Sequence, residues 1–446
     1  MKKICSLLLA TLLSISLFGM ALATESNFAP YDDSILMQAA EPVINAYEAH
    51  YEIAKAEIEN VCENKNPDGG FYVDFLVTLT GQLRYSNATE LPQVRGLSAA
   101  LGVRCEALTT DELLLTLQTA DTKDTIVNSV AAVADATVQR IDSAEANIST
   151  ANQLYYAGTA LKQKDVAIAI ADNVVFETTE FLEELEEEYI GKEYSFSIPM
   201  RILFDDNGNE VEVQYCVGDY YSNDINTVIP DPVDDMFYNG EEQAQMYISI
   251  AAEKMVASVG GAVDTFAIST PYKRVTARDY ANKWTATVPE HWCSTHGWSI
   301  AQNTSNYNPA YTAYCCNDCA NYVSQAFYAG GIQRDDYWKP TEKPWYGTVS
   351  MEHYFRHTQE AVNRGYATPS NMWVLSNATA CNAGGVIMLY NGNGGYHVMM
   401  CVQNDTVTRA KSGHTNDELK TVYKVTSNFG ASHGVKYFMF ANKVDT

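Results

Sequence analysis

The sequence predicts an α+β protein of two units, and three observations carry that reading. Helical and strand-like patterns fall in separate blocks rather than in strict alternation. Acidic residues crowd the first part of the chain. The second part holds one short amphipathic helix followed by a strand, a glycine-rich turn and a second strand.

A length of 446 residues suggests two or three domains. With 19% charged and 46% hydrophobic residues the composition is that of an ordinary globular chain. A net charge of -26 argues against nucleic acid as a partner, because phosphates reward clustered Lys and Arg.

The chain opens with Met1-Lys2-Lys3, an apolar run from Leu7 to Phe18, and Ala21-Leu22-Ala23 before Thr24. A short basic stretch, an apolar stretch and an A-x-A site predict a signal peptide over residues 1–23 and an exported mature chain. Cys5 precedes the apolar run, so it is not placed as a lipid-anchored cysteine. No later segment reaches about 20 continuous apolar residues, so no membrane span is expected after the signal.

The first unit is expected over residues 24–256, a linker over 257–269, and the second unit over 270–446. Residues 24–270 carry 12 basic and 43 acidic side chains, net -31, whereas residues 271–446 carry 15 and 12, net +3. The segment Ala257-Ser258-Val259-Gly260-Gly261-Ala262 has linker composition.

In the first unit a helical pattern runs from Ser34 to Val61 and another from Asp111 to Ile141. Val166–Ile170 and Val174–Phe176 are strand-like, and two further strand-like runs flank Asp206-Asn207-Gly208-Asn209, with Asn-Gly a strong hairpin signal. Asp205, Asn207 and Asn209 begin like a calcium loop, but Glu210 stands where that loop needs Gly, so a hairpin turn is expected. The acidic run Glu183–Glu188 reads as a solvated helix face. Nothing here specifies chemistry.

The second unit does. Cys319, Tyr322, Val323, Ala326 and Phe327 share one helix face, Asn317 and Asp318 are capping types, and Gly330-Gly331 is a stop. Cys319 therefore falls in the first turn of a helix, where unpaired N–H groups and the dipole favour a thiolate. The neighbouring Asp318 carboxylate opposes that effect unless it is turned away. His397 follows a strand and the turn Asn391–Gly395 and is fixed on the next strand; a thiolate hydrolase needs such an imidazole. Ser412-Gly413-His414-Thr415-Asn416-Asp417 supplies groups able to accept from its second nitrogen.

These pieces resemble the amidase-domain family of exported bacterial proteins, relatives of CHAP and NlpC-type cell-wall hydrolases in the papain-like superfamily. The matching residues are Tyr272-Lys273-Arg274, Tyr280-Ala281, Asn308-Pro309-Ala310-Tyr311, the Asp318–Gly331 block, the strand ending in Tyr396-His397-Val398, and His414-Thr415-Asn416-Asp417. The resemblance implies a C-terminal papain-like cysteine hydrolase domain beside an N-terminal acidic α+β module. It implies Cys319 as nucleophile through a thioester acyl-enzyme, His397 as general base and acid, and His414 and Asn416 as further polar site positions, either of which could orient His397. Tyr311 is a candidate wall or oxyanion donor. The implied substrate is an amide bond, with cell-wall peptide the expected class; no cofactor is called for. Asn317 and Gly385 depart from the family's usual Gly and Asp.

Without Cys5 nine cysteines are left, at 62, 105, 216, 293, 315, 316, 319, 381 and 401. Export makes disulfides the default. Four bridges would leave Cys319 over, and Cys62 with Cys105 is the pairing expected in the first unit. Two rivals use the same residues differently: a structural zinc module of Cys293, His296, Cys316 and Cys319, and a thiol-disulfide exchanger built on Cys316-Asn317-Asp318-Cys319. A catalytically inactive binding domain is a further alternative.

Overall fold

The computed structural model describes residues 33–67, 69–146, 163–217, 220–259, 272–288, 291–293, 297–357, 372–375, 381–391, 394–424, 434–440 and 443–444. The signal-peptide segment, most of the linker and His296 lie outside them.

The first half contains helices α1 (Asp33–Glu48), α2 (Pro92–Ala100), α3 (Thr110–Leu117), α4 (Ala120–Ser129), α5 (Ala131–Ala146), α6 (Gln163–Glu184) and α7 (Val233–Val259). Its strands are β1 (Tyr51–Lys65), β2 (Phe71–Leu83), β3 (Glu193–Phe204), β4 (Glu210–Val217) and β5 (Tyr220–Ser222). Alternate residues of β2 and β3, among them Val73, Phe75, Phe196 and Ile198, bury one sheet face against these helices. At the crossing of α2 and α7, a Cβ on Gly96 would sit 1.8 Å from the Phe237 carbonyl oxygen and one on Gly240 1.9 Å from that of Gln93. Only glycine permits so close a backbone approach.

Three local expectations are corrected. Residues 51–65 do not extend α1: they form β1, in register with β2 from Tyr51↔Leu83 to Lys65↔Phe71. The long ladder overrides a helix-like pattern. Residues 166–176 are helical, because Val166, Ile170, Val174, Thr178 and Phe181 make a buried stripe at helical spacing that a strand reading of their β-branched side chains misses. The Asp111–Ile141 pattern is three helices, broken at the Thr119 cap and again at Val130. The turn at Gly208 joins β3 to β4, and Asp205 accepts from the amides of Asn207 and Asn209 at 2.9 and 2.8 Å. Its carboxylate closes the hairpin from within.

The second half contributes β6 (Tyr272–Lys273), α8 (Arg274–Lys283), β7 (His291–Cys293), β8 (Trp298–Ile300), α9 (Cys319–Ala329), α10 (Lys343–Tyr346) and α11 (Thr348–His357). The remaining strands are β9 (Met372–Leu375), β10 (Val386–Asn391), β11 (Gly394–Asn404), β12 (Arg409–Gly413), β13 (Glu418–Val422), β14 (Gly434–Phe440) and β15 (Lys443–Val444). One sheet runs through both halves in the order β1-β2-β3-β13-β12-β11-β10-β14-β9, with β4 and β5 branching from β3. Its neighbours are antiparallel except β3 and β13, which meet in parallel at Ser197 and Thr421. Along β10 and β11 successive residues serve two cores: Ile387, Leu389, Met399 and Cys401 join the first-half core, and Val386, Met388, Val398 and Met400 pack with α9. Among the described residues no helix is long and apolar enough to cross a membrane.

The acidic run 183–188 is not simply solvated. Glu184 is buried and pairs with the buried Arg274 at 2.9 Å. Glu186 accepts from the Thr110 hydroxyl and the Ala88 amide, and Glu188 from Arg278. Three of these side chains thus anchor the end of α6, two of them onto α8. Removing one partner of a buried pair strands the other charge. Glu184→Ala should lower the unfolding free energy by about 3–5 kcal/mol in urea titration.

Candidate active site

Asp318 precedes α9 and Cys319 is its first residue, as the apolar stripe and Gly330 stop anticipate. Asp318 is fully buried and does not cap the helix with its side chain. Its Oδ1 accepts from the Tyr314 amide at 2.8 Å and from Asn321 Nδ2 at 2.9 Å, and its Oδ2 lies 2.7 Å from His414 Nδ1. The other ring nitrogen of His414 is 2.6 Å from the Trp284 carbonyl oxygen. Both nitrogens thus face oxygen atoms. The ring is sandwiched between Tyr307, stacked at 3.5 Å, and Tyr322 at 4.1 Å.

The Cys319 thiol is 4% exposed. Burial pushes its pKa above the usual thiol value, and the Asp318 charge adds to the rise; the Thr348 hydroxyl and the amides of Val398 and Ala320 act in the opposite direction. The Thr348 Oγ1 stands 3.6 Å from the sulfur. A lowered thiol is what position at a helix start leads one to expect, and desolvation reverses it.

His397 lies on β11 with its Cα paired to Leu389, next to a bulge between Leu389 and Tyr390. The sulfur packs against the backbone of Val398, one residue along, so the strand carrying His397 passes the helix start carrying Cys319. The sulfur's hydrogen-bond partners include the Thr348 hydroxyl and the amides of Val398 and Ala320.

Of the remaining sequence candidates, His414 stands beside the start of α9 with its two nitrogens engaged by Asp318 and the Trp284 carbonyl. Asn416 lies on the turn after β12 and lines a cavity of about 120 Å³ with Cys62, Asp74, Cys216, Tyr221 and Asp417; the lining does not include Cys319. Tyr311 stacks on Trp345, and its hydroxyl accepts from Arg334 at 2.7 Å. It is a member of an aromatic cluster around a guanidinium, which also lies 3.8 Å above the Tyr328 ring. Thr348 is the neighbour that sequence reasoning missed. It follows Gly347 at the start of α11, and no spacing relative to Cys319 announces it.

The cysteine expectations change as well. Among the described residues no disulfide is formed. Cys62 looks into the cavity beside Cys216, whereas Cys105 is buried beside Ser98, so that expected pair is not made. Cys381 and Cys401 are hydrogen-bonded neighbours deep in the core. Cys316 Sγ lies 3.0 Å from Cys293 and 3.2 Å from Cys315. Cys319 is outside this cluster, which removes it from both the four-ligand zinc set and the Cys316–Cys319 exchange pair.

Residues 271–438 match the model of the family described as "Putative amidase domain". The matched stretch runs from the start of the second half almost to the end of the chain and contains Cys319, His397 and the Asp318–His414 pair. No curated protein and no solved structure matches the chain. The match supports an amidase-like hydrolase at the level of the family.

The thiol environment gives a sign. Iodoacetamide labelling of Cys319 should follow a pH limb above the ordinary thiol value of roughly 8.5. Thr348→Val removes a donor to the thiolate, so it should move that limb further up. Peptide mass mapping across a pH series reads both.

Proposed function

We propose that the chain is an exported cysteine amidohydrolase that cleaves an amide bond in a cell-wall-type peptide through a thioester on Cys319. The observation that carries the reading is a cysteine held at the start of a buried helix, against the strand that bears His397, inside a segment matching an amidase family. A papain-like fold for the second half is part of the same proposal and rests on the resemblance of the residues around Cys319 and His397. Export rests on the leader-like residues 1–23.

With the thiol held above its usual range by burial, a preformed thiolate–imidazolium pair is not the resting state this environment favours. His397 therefore acts as a general base during attack: its imidazole takes the proton from Cys319 Sγ as sulfur bonds to the carbonyl carbon. The same proton then goes to the leaving amine, and a water deprotonated by His397 releases the acid and regenerates the thiol. The bulge beside His397 is the kind of feature that re-aims a strand side chain, and catalytic contacts often tighten only when substrate is bound. Thr348 acts as the donor that steadies charge on sulfur as the proton leaves.

Amine release from defined peptidoglycan fragments tests the proposal. Cys319→Ala should lower turnover by at least about 10³-fold, and His397→Ala by about 10²–10⁴-fold. Unchanged turnover in Cys319→Ala would remove the mechanism.

A further inference from the structure

We propose that Cys293, Cys315 and Cys316 form a thiolate site for one thiophilic divalent cation of the zinc(II) class, separate from the Cys319 centre. The three sulfurs all lie within 4.8 Å of one another. Their separations are 3.0 Å for Cys293–Cys316, 3.2 Å for Cys315–Cys316 and 3.7 Å for Cys293–Cys315. Three thiolates around a tetrahedral zinc, each about 2.3 Å from the metal, stand roughly 3.8 Å apart. One separation already has that value, and the other two need to open by about half an ångström to an ångström around a bound ion.

Three converging sulfurs suit a metal better than a disulfide, which would use two and leave the third against it. The convergence is built by the backbone. Cys316 has φ of 60°, a left-handed conformation uncommon for a side-chain-bearing residue, and this turns the sulfurs of two consecutive residues toward one point. Its amide donates to Gln302 Oε1 at 2.8 Å, and Gln302 Nε2 in turn donates to the Tyr314 carbonyl at 3.0 Å, so the turn is held by a buried side chain. Cys293 comes from β7 of a separate hairpin and is buried with Ile300 and Cys316. Cys315 is exposed, which gives an ion a way in and leaves the fourth position to water.

Ligand chemistry supplies the reason for a soft cation. Binding replaces the three S–H protons, which pass to solvent, with three sulfur–metal bonds and no change of oxidation state. Sulfur ligands favour zinc over magnesium or calcium. The bound ion would tie the β7–β8 hairpin to the residues just before α9, three positions from Cys319, and so brace the helix start without touching the reacting sulfur.

Cobalt(II) is the probe. The reduced, metal-free full chain titrated with cobalt(II) should develop a thiolate-to-cobalt charge-transfer absorption that saturates at one metal per chain and is bleached by zinc(II). Cys315→Ser, an exposed replacement that leaves the core intact, should weaken binding by more than about tenfold. Cys319→Ser should bind as the wild type does, which separates this test from that of the hydrolase mechanism. Absence of the absorption in the wild type overturns the proposal, as does undiminished affinity in Cys315→Ser. A disulfide joining any two of the three in protein isolated without reductant, found by peptide mass mapping, overturns it as well.

Discussion

The contact between Asp318 and His414 is the constraint on which the geometry around Cys319 depends. Desolvating a carboxylate and an imidazole is costly, and the cost is met only when every acceptor and donor finds a partner. Here they do: two donors reach Oδ1, the ring serves Oδ2, and the far nitrogen reaches the Trp284 carbonyl. Four separate parts of the chain meet at this point: the end of α8, the residues before α9, α9 itself and the turn after β12. The adjacent amide of Asp318 donates to Thr415 at 2.6 Å, and Asp417 on the same turn accepts from the Asn303 amide at 2.7 Å. The turn is thereby clamped from both sides. The helix start cannot shift relative to β11 and β12 without breaking buried polar contacts.

That rigidity shapes the chemistry. By turning toward His414, the carboxylate beside Cys319 gives up the backbone-capping role its residue type suggests. The sulfur is left in an apolar pocket, where desolvation outweighs the donors around it. The arrangement favours a neutral thiol. Two of the donors near sulfur come from other elements, the hydroxyl from α11 and an amide from β11, and the third is the Ala320 amide of α9 itself.

The sequence made the helix at Cys319 legible because a stripe, capping types and a double-glycine stop coincide there. The β10–β11 hairpin was legible for a similar reason, with two apolar runs around a glycine-rich turn. Tertiary pairing hid the rest. Residues 51–65 are a strand only because β2 lies beside them, and the β-branched face of α6 resembles a strand when read in pieces. Asp318 reads locally as a cap, since its partner His414 is 96 residues away in sequence. Glu184 reads as one of a solvated run until Arg274 is placed against it. Cys315, directly before Cys316 and outside the spacing of the zinc pattern, joins the sulfur cluster through the left-handed backbone of its neighbour.

The most direct test of this account is a double-mutant cycle on Asp318 and His414 by urea unfolding, using Asp318→Ala, His414→Ala and the double variant. Residues locked in one buried polar network couple by roughly 0.5–3 kcal/mol, and the account places this pair in the upper half of that range. The double variant should therefore be clearly more stable than the sum of the single losses implies. Additivity within about 0.5 kcal/mol would contradict it, and would mean that the start of α9 is held by packing alone.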